Sequence, residues 1–300
     1  MNEQDWSLLD SIYEEQNITK AAERLFISQP ALTYRLQQIE QEFGIKVFNR
    51  TGKKITFTLE GEHLIHYAKK MLLELRRTKD YLANLHAHEV RGTLRIGASS
   101  NFSLYKLPAI LKHFVELYPN VQIHLNTGLS SDIFRLLQND EVQIAFIRGD
   151  YQWIEEKYLI NEERICVISK HPIELEELPK LPRIHYQIGA VKSKIKFKTD
   201  PFLSKSIDTW WQEQFRSPPQ MTMQVDSVET CKELVKHGLG YAIIPRICLT
   251  KEDDLHTIDL TRNDGQFLLR KTWMIYRESA MELASLNQFV NDVKSCFPQT

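Results

Sequence analysis

Hydrogen-bonding side chains recur on one face of a short amphipathic segment near the start of the chain. They are Gln29, Thr33, Tyr34 and Gln37. The amide of Gln29 can bond an adenine edge at two points, and Thr33 offers thymine both a hydroxyl and a methyl group. These residue types suit the reading of base edges in a DNA groove. The alternative is that they are solvated surface residues.

Basic side chains accompany this polar face. Arg35 lies in the same segment, and Arg50, Lys53 and Lys54 follow it. The chain of 300 residues has a net charge of −1, yet residues 27–58 carry a formal charge of +3. Guanidinium and ammonium groups contact phosphates, which position a protein on DNA without reading its sequence. The local charge is compatible with DNA contact but is weak evidence by itself.

A helix-turn-helix would place these side chains together. Apolar spacing predicts a first helix through residues 8–13 and a second through residues 21–25, with Thr19 as the cap of the second. Ser28 is the expected cap of the third helix. Pro30 fits its first turn, where a backbone N–H has no helical partner, and joins the groove-facing set.

A β-hairpin, the wing, is expected after the third helix. Gly44 is a typical residue to end that helix. Residues 45–57 then contain two short apolar runs, with Thr51 and Gly52 as turn residues between them. The wing would carry Arg50, Lys53 and Lys54 beside the third helix.

One long helix is predicted over residues 59–88. Its apolar positions alternate steps of four and three, the repeat of a coiled-coil seam. We predict pairing with a second copy through Leu64, Met71, Leu75, Leu82 and Leu85. The alternative is a single helix packed on its own domain.

Beyond residue 91 the pattern changes to alternating strands and helices, which predicts a parallel sheet with covering helices. In such sheets ligands bind beyond the carboxyl ends of strands, where helix N-termini offer free N–H groups. The residues predicted at strand ends as effector-binding are Ser99, Ser100, Asn101, Thr127, Arg148, Gly189 and Ser227. Each has a simpler interpretation; Ser227, for example, is a good helix cap with or without a ligand.

Three stretches of the N-terminal region carry a resemblance to a known family. They are Ile18-Thr19-Lys20-Ala21-Ala22-Glu23-Arg24-Leu25, Ser28-Gln29-Pro30-Ala31-Leu32-Thr33 and Phe43-Gly44-Ile45-Lys46-Val47-Phe48-Asn49-Arg50. Together with the wing, they resemble the DNA-binding domain of LysR-type transcriptional regulators. Chain length and domain order extend the resemblance over the whole chain.

The resemblance implies more than the residues do by themselves. It implies a dimerising linker helix, a two-lobed effector domain like a periplasmic binding protein, and a small-molecule inducer of unknown identity between the lobes. It further implies a homodimer or homotetramer on an inverted-repeat operator in double-stranded DNA, and contact with RNA polymerase if the protein is an activator. Tyr34 and Gln37 stand where the family often has basic residues, which implies less charge on this helix.

Other functional classes find little support. The sequence lacks GxSxG, HExxH and GxxxxGK motifs, so we predict no enzyme, no metal and no other cofactor. The four cysteines are scattered, which favours buried thiols. The absence of a long apolar run or a secretory N-terminus predicts a cytoplasmic protein with no membrane partner.

The predicted fold class is an α+β multidomain chain with a winged helix-turn-helix over 1–58, a linker helix over 59–90 and an effector domain over 91–300. Its first lobe comprises about 91–162 and 267–300, its second about 163–266. Two alternatives remain open: a DNA-binding protein with no ligand, and a solute-binding protein with an accessory helical domain. The alternating lysines of residues 192–198 suggest a protected edge strand, or a basic wall of the effector site.

Overall fold

The structure, a computed structural model, describes residues 1–51, 54–85, 90–186 and 201–298 and divides into two compact units, Met1–His86 and Ala87–Thr300. The elements of the first unit are α1 (Glu3–Glu15), α2 (Ile18–Arg24), α3 (Gln29–Phe43), β1 (Phe48–Thr51), β2 (Lys54–Phe57) and α4 (Leu59–Leu85). Three helices, a hairpin and a long helix therefore follow one another in the predicted order.

Side-chain caps explain where the short helices begin. Ser28 accepts a hydrogen bond from the N–H of Ala31, and Gly44 ends α3 in the left-handed region, so both predictions are confirmed. The prediction of Thr19 as a cap is wrong. Asn17 caps α2 instead, because its Oδ1 accepts from the N–H groups of Thr19 and Lys20 at 2.9 and 3.1 Å.

The hairpin pairs antiparallel, with Phe48 opposite Phe57 and Thr51 opposite Lys54. Thr51 therefore belongs to β1 rather than to the turn, and the other predicted turn residue, Gly52, lies outside the described residues. The hairpin is held against the start of α4 at Gly61. A Cβ built on Gly61 would stand 1.9 Å from the carbonyl oxygen of Val47, so only glycine fits there.

Helix α4 packs against α1, and this contact corrects the predicted seam. Leu64 is only 6% exposed and lies in the core of the first unit, so it is not available to a second copy. Met71 and Leu75 are half-buried, and Leu82 is 53% exposed. The side chain of Leu85 lies outside the described part of the chain. The part of the predicted pairing surface that is not buried within the unit therefore begins at Met71.

The second unit alternates strands and helices. Its helices are α5 (Ser100–Tyr105), α6 (Leu107–Leu117), α7 (Ser130–Gln138), α8 (Pro201–Gln214), α9 (Val228–Lys236) and α10 (Ala284–Cys296). Its strands are β3 (Gly92–Ser99), β4 (Val121–Gly128), β5 (Ile144–Arg148), β6 (Glu156–Ser169), β7 (Pro182–Tyr186), β8 (Gln220–Val225), β9 (Ala242–Pro245), β10 (His256–Asp259) and β11 (Leu269–Tyr276).

The sheet of this unit is mixed rather than purely parallel. Strands β4, β3 and β5 are parallel, as predicted, but β11 is inserted antiparallel between β5 and β6. Strand β6 runs through both lobes: residues 156–164 pair with β11, and residues 165–169 pair with β9 and β10. A register shift between Thr272 and Trp273 interrupts the β6–β11 pairing where the strands pass between the lobes.

A second, two-stranded parallel sheet, β7–β8, completes the second lobe. The turn after α9 approaches it closely. Gly240 has a φ of +149°, and a Cβ there would meet the carbonyl oxygen of Pro182 at 2.3 Å. This close approach explains Gly240, and a φ of +75° favours glycine at Gly238.

Candidate functional site

Helix α3 turns its apolar stripe inward and its polar face outward. Leu32, Leu36 and Ile39 are buried in the core of the first unit. The outward residues are exposed Gln29, Pro30 and Gln37, Tyr34 at 63% exposure, and half-buried Thr33. The helix thus presents hydrogen-bonding side chains to solvent from its first turn onward.

Helix α2 orients the first of these side chains. The hydroxyl of Thr19 donates to Oε1 of Gln29 at 3.2 Å. This bond fixes one end of the amide while the exposed side chain keeps its NH2 group as a donor. The arrangement suits an amide that must meet a base edge in a defined orientation.

Arg35 is engaged within the unit, and its contact with phosphate stays a prediction. Its Nη2 donates to Oδ2 of Asp5 at 2.9 Å, and its Nη1 donates to Gln38 at 2.8 Å. The hydrogen bond to Asp5 raises the pKa of Arg35. The partner carboxylate neutralises the guanidinium locally, so Arg35 joins α3 to α1.

The basic residues of the wing stay a prediction. Arg50 and Lys54 lie on β1 and β2, opposite Ile55 and Thr51. The side chains of Arg50 and Lys54, and the whole of Lys53, fall outside the described residues.

A cleft of about 320 Å³, counting the space at its open mouth, lies between the two lobes of the second unit. The ends of β3, β4 and β5 and the starts of α5 and α7 form one wall; β7 and α8 contribute the other. Its lining residues are Ser99, Ser100, Asn101, Gly128, Leu129, Ser130, Arg148, Tyr186 and Leu203. Four predicted effector residues therefore meet here.

Ser99 is the most informative of them. Its residue is 5% exposed, and its hydroxyl oxygen is buried with no hydrogen-bond partner among the described residues. The neighbouring Ser100 is exposed, and its hydroxyl already donates to the carbonyl oxygen of Gly128 at 3.2 Å. A buried hydroxyl without a partner is unfavourable, and a bound molecule can supply the missing bond.

Arg148 places a buried positive charge at the same cleft. The residue is 2% exposed, and its guanidinium pairs with the buried carboxylate of Glu163. Its N–H donates to the hydroxyl of Ser130 at 3.0 Å, and its carbonyl oxygen accepts from the buried guanidinium of Arg270 at 3.3 Å. The network fixes Arg148 at the end of β5.

Of the other three predicted effector residues, two are absent from the described lining of the cleft and the third is not described. Thr127 is exposed on β4 and, like Ser227, is absent from the described lining. Ser227 caps α9 by accepting from the N–H of Thr230 at 3.4 Å, so its simpler interpretation holds. Gly189 lies outside the described residues.

Local sequence patterns do not indicate several of the lining residues. Gly128, Leu129 and Ser130 join β4 to α7, and they begin one residue after Thr127, the residue predicted at this strand end. Tyr186 and Leu203 come from the other lobe, and no local pattern indicates which residues face across a cleft.

Other chemistry is not assembled in the described part of the chain. No group of three or more His, Cys, Asp or Glu residues there could hold a metal ion. Burial raises the pKa of Cys166, Cys231 and Cys248 to about 12, so these thiols stay protonated at neutral pH. Among the helices searched over the described residues, none is both long and apolar enough to cross a bilayer.

Two family profiles match the chain. The family described as "Bacterial regulatory helix-turn-helix protein, lysR family" matches residues 4–62, and "LysR substrate binding domain" matches residues 87–295. The chain is similar to the HTH-type transcriptional regulator YraN of Bacillus subtilis (strain 168), with 46% identity over 294 residues and 98% coverage of both chains. It is 36% identical to YkuM, an HTH-type transcriptional regulator of the same organism, over 100% of this chain and 99% of that one.

The fold is also similar to that of full-length CbnR solved in complex with its target DNA. The TM-score is 0.68 at 18% identity, and the match covers 98% of this chain and 99% of that one. At this identity the likeness shows the fold alone.

Proposed function

This chain belongs to the LysR family of transcriptional regulators, and we propose that it binds an inverted-repeat operator as a homodimer or homotetramer under the control of a small anionic metabolite. It is a DNA-binding regulator with a substrate-binding domain, not an enzyme. The operator, the residues that contact it and the nature of the metabolite are the proposed parts.

The outward face of α3 supports the DNA contacts. Gln29, Pro30 and Thr33 occupy the first turns of the second helix of a helix-turn-helix, the part that meets base edges in the major groove. The wing supplies phosphate contacts through Arg50, Lys53 and Lys54. Two copies related by a twofold axis would read half-sites about one helical turn apart or more.

Ser99 carries the proposal of an effector site. Its buried hydroxyl lacks a partner among the described residues, and Ser99 is one of the residues that line the interlobe cleft. The N-terminus of α7, a helix of nine residues, begins at the same cleft with Ser130. Free N–H groups there and the hydroxyl of Ser99 together can receive the oxygens of a ligand.

The helix end at the cleft favours an anion. Helix α7 begins there, and its free N–H groups and the positive end of the helix dipole attract negative charge. A small carboxylate fits this charge preference.

Control by this metabolite requires a difference in affinity between two arrangements of the lobes. A ligand that bound both equally would shift nothing, however tightly it bound. The proposed compartment is the cytoplasm, where bacterial DNA is found. RNA polymerase is the proposed partner if the protein activates transcription.

Selection from a random DNA pool, followed by footprinting, tests the operator. We expect protection with dyad symmetry, and a dissociation constant that rises steeply with salt because Lys and Arg contacts release counterions from phosphates. Protection without dyad symmetry, or affinity indifferent to salt, contradicts the proposal.

Thermal unfolding with a panel of small carboxylates and matched neutral amides tests the cleft. We expect a carboxylate at a hundredfold excess over its Kd to raise the Tm of the effector unit by about 5–10 °C. Ser99→Ala should reduce that shift. A Tm unaffected by every carboxylate would favour a DNA-binding protein whose effector fold has no ligand.

A further inference from the structure

Helix α2 ends in a turn that normally contains glycine. The N–H of Phe26 donates to the carbonyl oxygen of Glu23 at 3.1 Å, and the N–H of Ile27 donates to that of Ala22 at 3.0 Å. These two bonds define a Schellman motif, in which the residue at the position of Phe26 adopts the left-handed conformation. Phe26 has a φ of +55°.

A phenylalanine is an unfavourable choice for this backbone. Glycine adopts the left-handed region without steric penalty, and asparagine tolerates it, whereas a bulky side chain is rare there. The other non-glycine residues with positive φ in the described structure are Gln16 and Asp140, both polar. The turn alone therefore does not explain the phenyl ring.

The core does not explain the ring either. Phe26 is 96% exposed, so the folded unit removes almost none of its apolar surface from water. Ile27, the next residue, is 41% exposed. A strained and exposed aromatic residue points to a contact outside the unit.

The position of the ring identifies the contact. Phe26 lies two residues before Ser28, the cap of α3, and three before Gln29, the first outward residue of that helix. The exposed apolar pair is thus continuous with the helix end that enters the major groove in a helix-turn-helix. Continuity with this helix end favours DNA over a second copy.

We propose that Phe26 contacts DNA, with its ring packed against apolar carbon at the rim of the major groove. The carbon belongs either to a thymine 5-methyl group or to a deoxyribose. Apolar contact with the thymine methyl is an established mode of base recognition. This inference rests on the proposed function, since it requires α3 to enter the groove.

Phe26→Asn tests the inference, because asparagine suits the left-handed backbone and removes the ring. We expect a Tm at least as high as that of the wild type together with a Kd for selected DNA about tenfold weaker. The slope of log Kd against log salt should stay unchanged, because no phosphate contact is lost. If the ring were needed only for folding, Phe26→Asn would instead lower the Tm.

Ile154→Asn is the matched control. Ile154 is 100% exposed in the effector unit, so its replacement removes an exposed apolar side chain far along the chain from α3. We expect unchanged operator affinity. Equal losses in both variants would overturn the inference, since a general loss of exposed apolar surface would then explain the result.

Operator DNA with deoxyuridine in place of thymidine separates the two sources of carbon. If deoxyuridine weakens the binding of the wild type more than it weakens the binding of Phe26→Asn, the ring contacts a thymine methyl. If deoxyuridine changes the binding of both proteins equally, the ring contacts deoxyribose. Either result requires that Phe26→Asn be weaker on ordinary DNA.

Thr33→Ala, measured in parallel, separates this inference from the proposed function. If Thr33→Ala loses specificity while Phe26→Asn binds as the wild type does, only the inference fails. If neither variant changes binding, the assignment of α3 as the reading helix fails as well. A changed oligomeric state in Phe26→Asn would identify a second copy as the occupant and overturn the inference.

Discussion

Asp5 stabilises the first unit through two contacts. Its Oδ2 accepts from the N–H of Asn2 at 2.8 Å, which completes the capping box of α1, and it also accepts from Arg35 of α3. Burial opposes ionisation of Asp5, but the hydrogen bonds from Arg35 and Asn2 outweigh it and lower the pKa of this carboxyl.

The first prediction is that Asp5→Asn lowers the free energy of unfolding by about 1–2 kcal/mol near neutral pH, because a charge-assisted bond and part of a cap are lost. The pKa of Asp5 is lowered by folding, so its stabilisation is complete above the ordinary value of 3.8 and declines as the pH falls through the folded value. Denaturant unfolding of the wild type and of Asp5→Asn from pH 7 to pH 3 should show their difference in unfolding free energy narrowing only at the acid end. If that difference widens on acidification, the ionised carboxylate of Asp5 is not the stabilising group.

The second prediction separates base recognition from phosphate contact. Thr33→Ala or Gln29→Ala should reduce discrimination between operator and random DNA by about 1–3 kcal/mol for each lost contact. Lys53→Ala should weaken binding to all sequences similarly and reduce the salt slope. Fluorescence anisotropy on both DNAs at several salt concentrations measures the two effects. If Thr33→Ala weakened binding to operator and to random DNA equally, Thr33 would not contact a base edge.

Residue identity alone indicated the outward face of α3 but not the role of Arg35. The spacing of Leu32, Leu36 and Ile39 fixes which side of the helix is buried, and hence where Gln29 and Gln37 point. The partner of Arg35 is Asp5, 30 residues earlier, and a pairing at that separation depends on how α1 packs on α3. No local pattern contains that information.

At the scale of elements, α4 combines two kinds of surface. Its first turns contribute to the core of the first unit through Leu64, whereas Leu82 near its end is 53% exposed. Ion pairs from Lys69 to Glu14 and from Lys79 to Glu3 hold the helix along α1. The heptad repeat in the sequence therefore includes residues that pack within the unit and residues that are candidates for pairing with a second copy.

The third prediction contrasts these two surfaces. Leu64→Ala should lower the free energy of unfolding by about 2–5 kcal/mol, because it leaves a cavity in a packed core. Leu82→Glu should leave the Tm unchanged and weaken self-association, because a charge would then enter the coiled-coil seam. Sedimentation velocity on the full chain measures self-association, and thermal unfolding measures stability. If Leu82→Glu associates as the wild type does, α4 packs within its own unit and does not pair with a second copy.

The fourth prediction concerns the join between the wing and α4. Gly61→Ala would force its new methyl group against the backbone of Val47, where the nearest atoms lie 1.9–2.8 Å from the added carbon. Backbone cannot move aside as a flexible side chain can, so we expect a loss of more than about 2 kcal/mol in unfolding free energy. Gly44→Ala is a useful comparison, because its added methyl meets no atom within 4 Å and only its φ of +65° opposes it. A smaller loss at Gly61 than at Gly44 would contradict this account.

Local pattern predicted most helices and strands but not how they pair. The alternating residues of β3 and β4 and the caps of α3 are readable because their determinants lie within a few residues. The four residues of β10 are less readable, because they lie in a charged stretch with little apolar alternation. The antiparallel insertion of β11 between β5 and β6 depends on contacts more than 100 residues apart, which a pattern of neighbouring residues does not encode.

At the scale of the whole molecule, the proposed DNA-reading face and the proposed effector site lie in separate compact units. Ser99 and the buried Arg148–Glu163 pair belong to the second unit, and the outward face of α3 belongs to the first. We therefore expect that a substitution can remove the regulatory response without removing DNA affinity.

The fifth prediction follows from this separation. Ser99→Ala should abolish most of the ligand-dependent change in operator binding while leaving the ligand-free Kd for operator within about twofold of the wild type, because Ser99 and the proposed DNA-reading residues belong to different compact units. Ser227→Ala, which alters only the cap of α9, is the matched control and should retain the response. Footprints with and without ligand provide the readout. A Ser99→Ala protein that responds normally would exclude this hydroxyl from the mechanism.

The insertion of β11 into the middle of the sheet has a consequence for biosynthesis. The first unit is complete once residue 86 has left the ribosome, and nascent chains fold from the N-terminus onward. The sheet of the first lobe must instead wait for residues 269–276, since β5 and β6 have β11 between them. Under the proposed function, the DNA-binding unit of each new chain would therefore be folded before the effector site is complete. A message truncated shortly before codon 269 would leave the protein with a folded DNA-binding unit and an incomplete effector site. Such a protein would compete with the full-length protein for the operator.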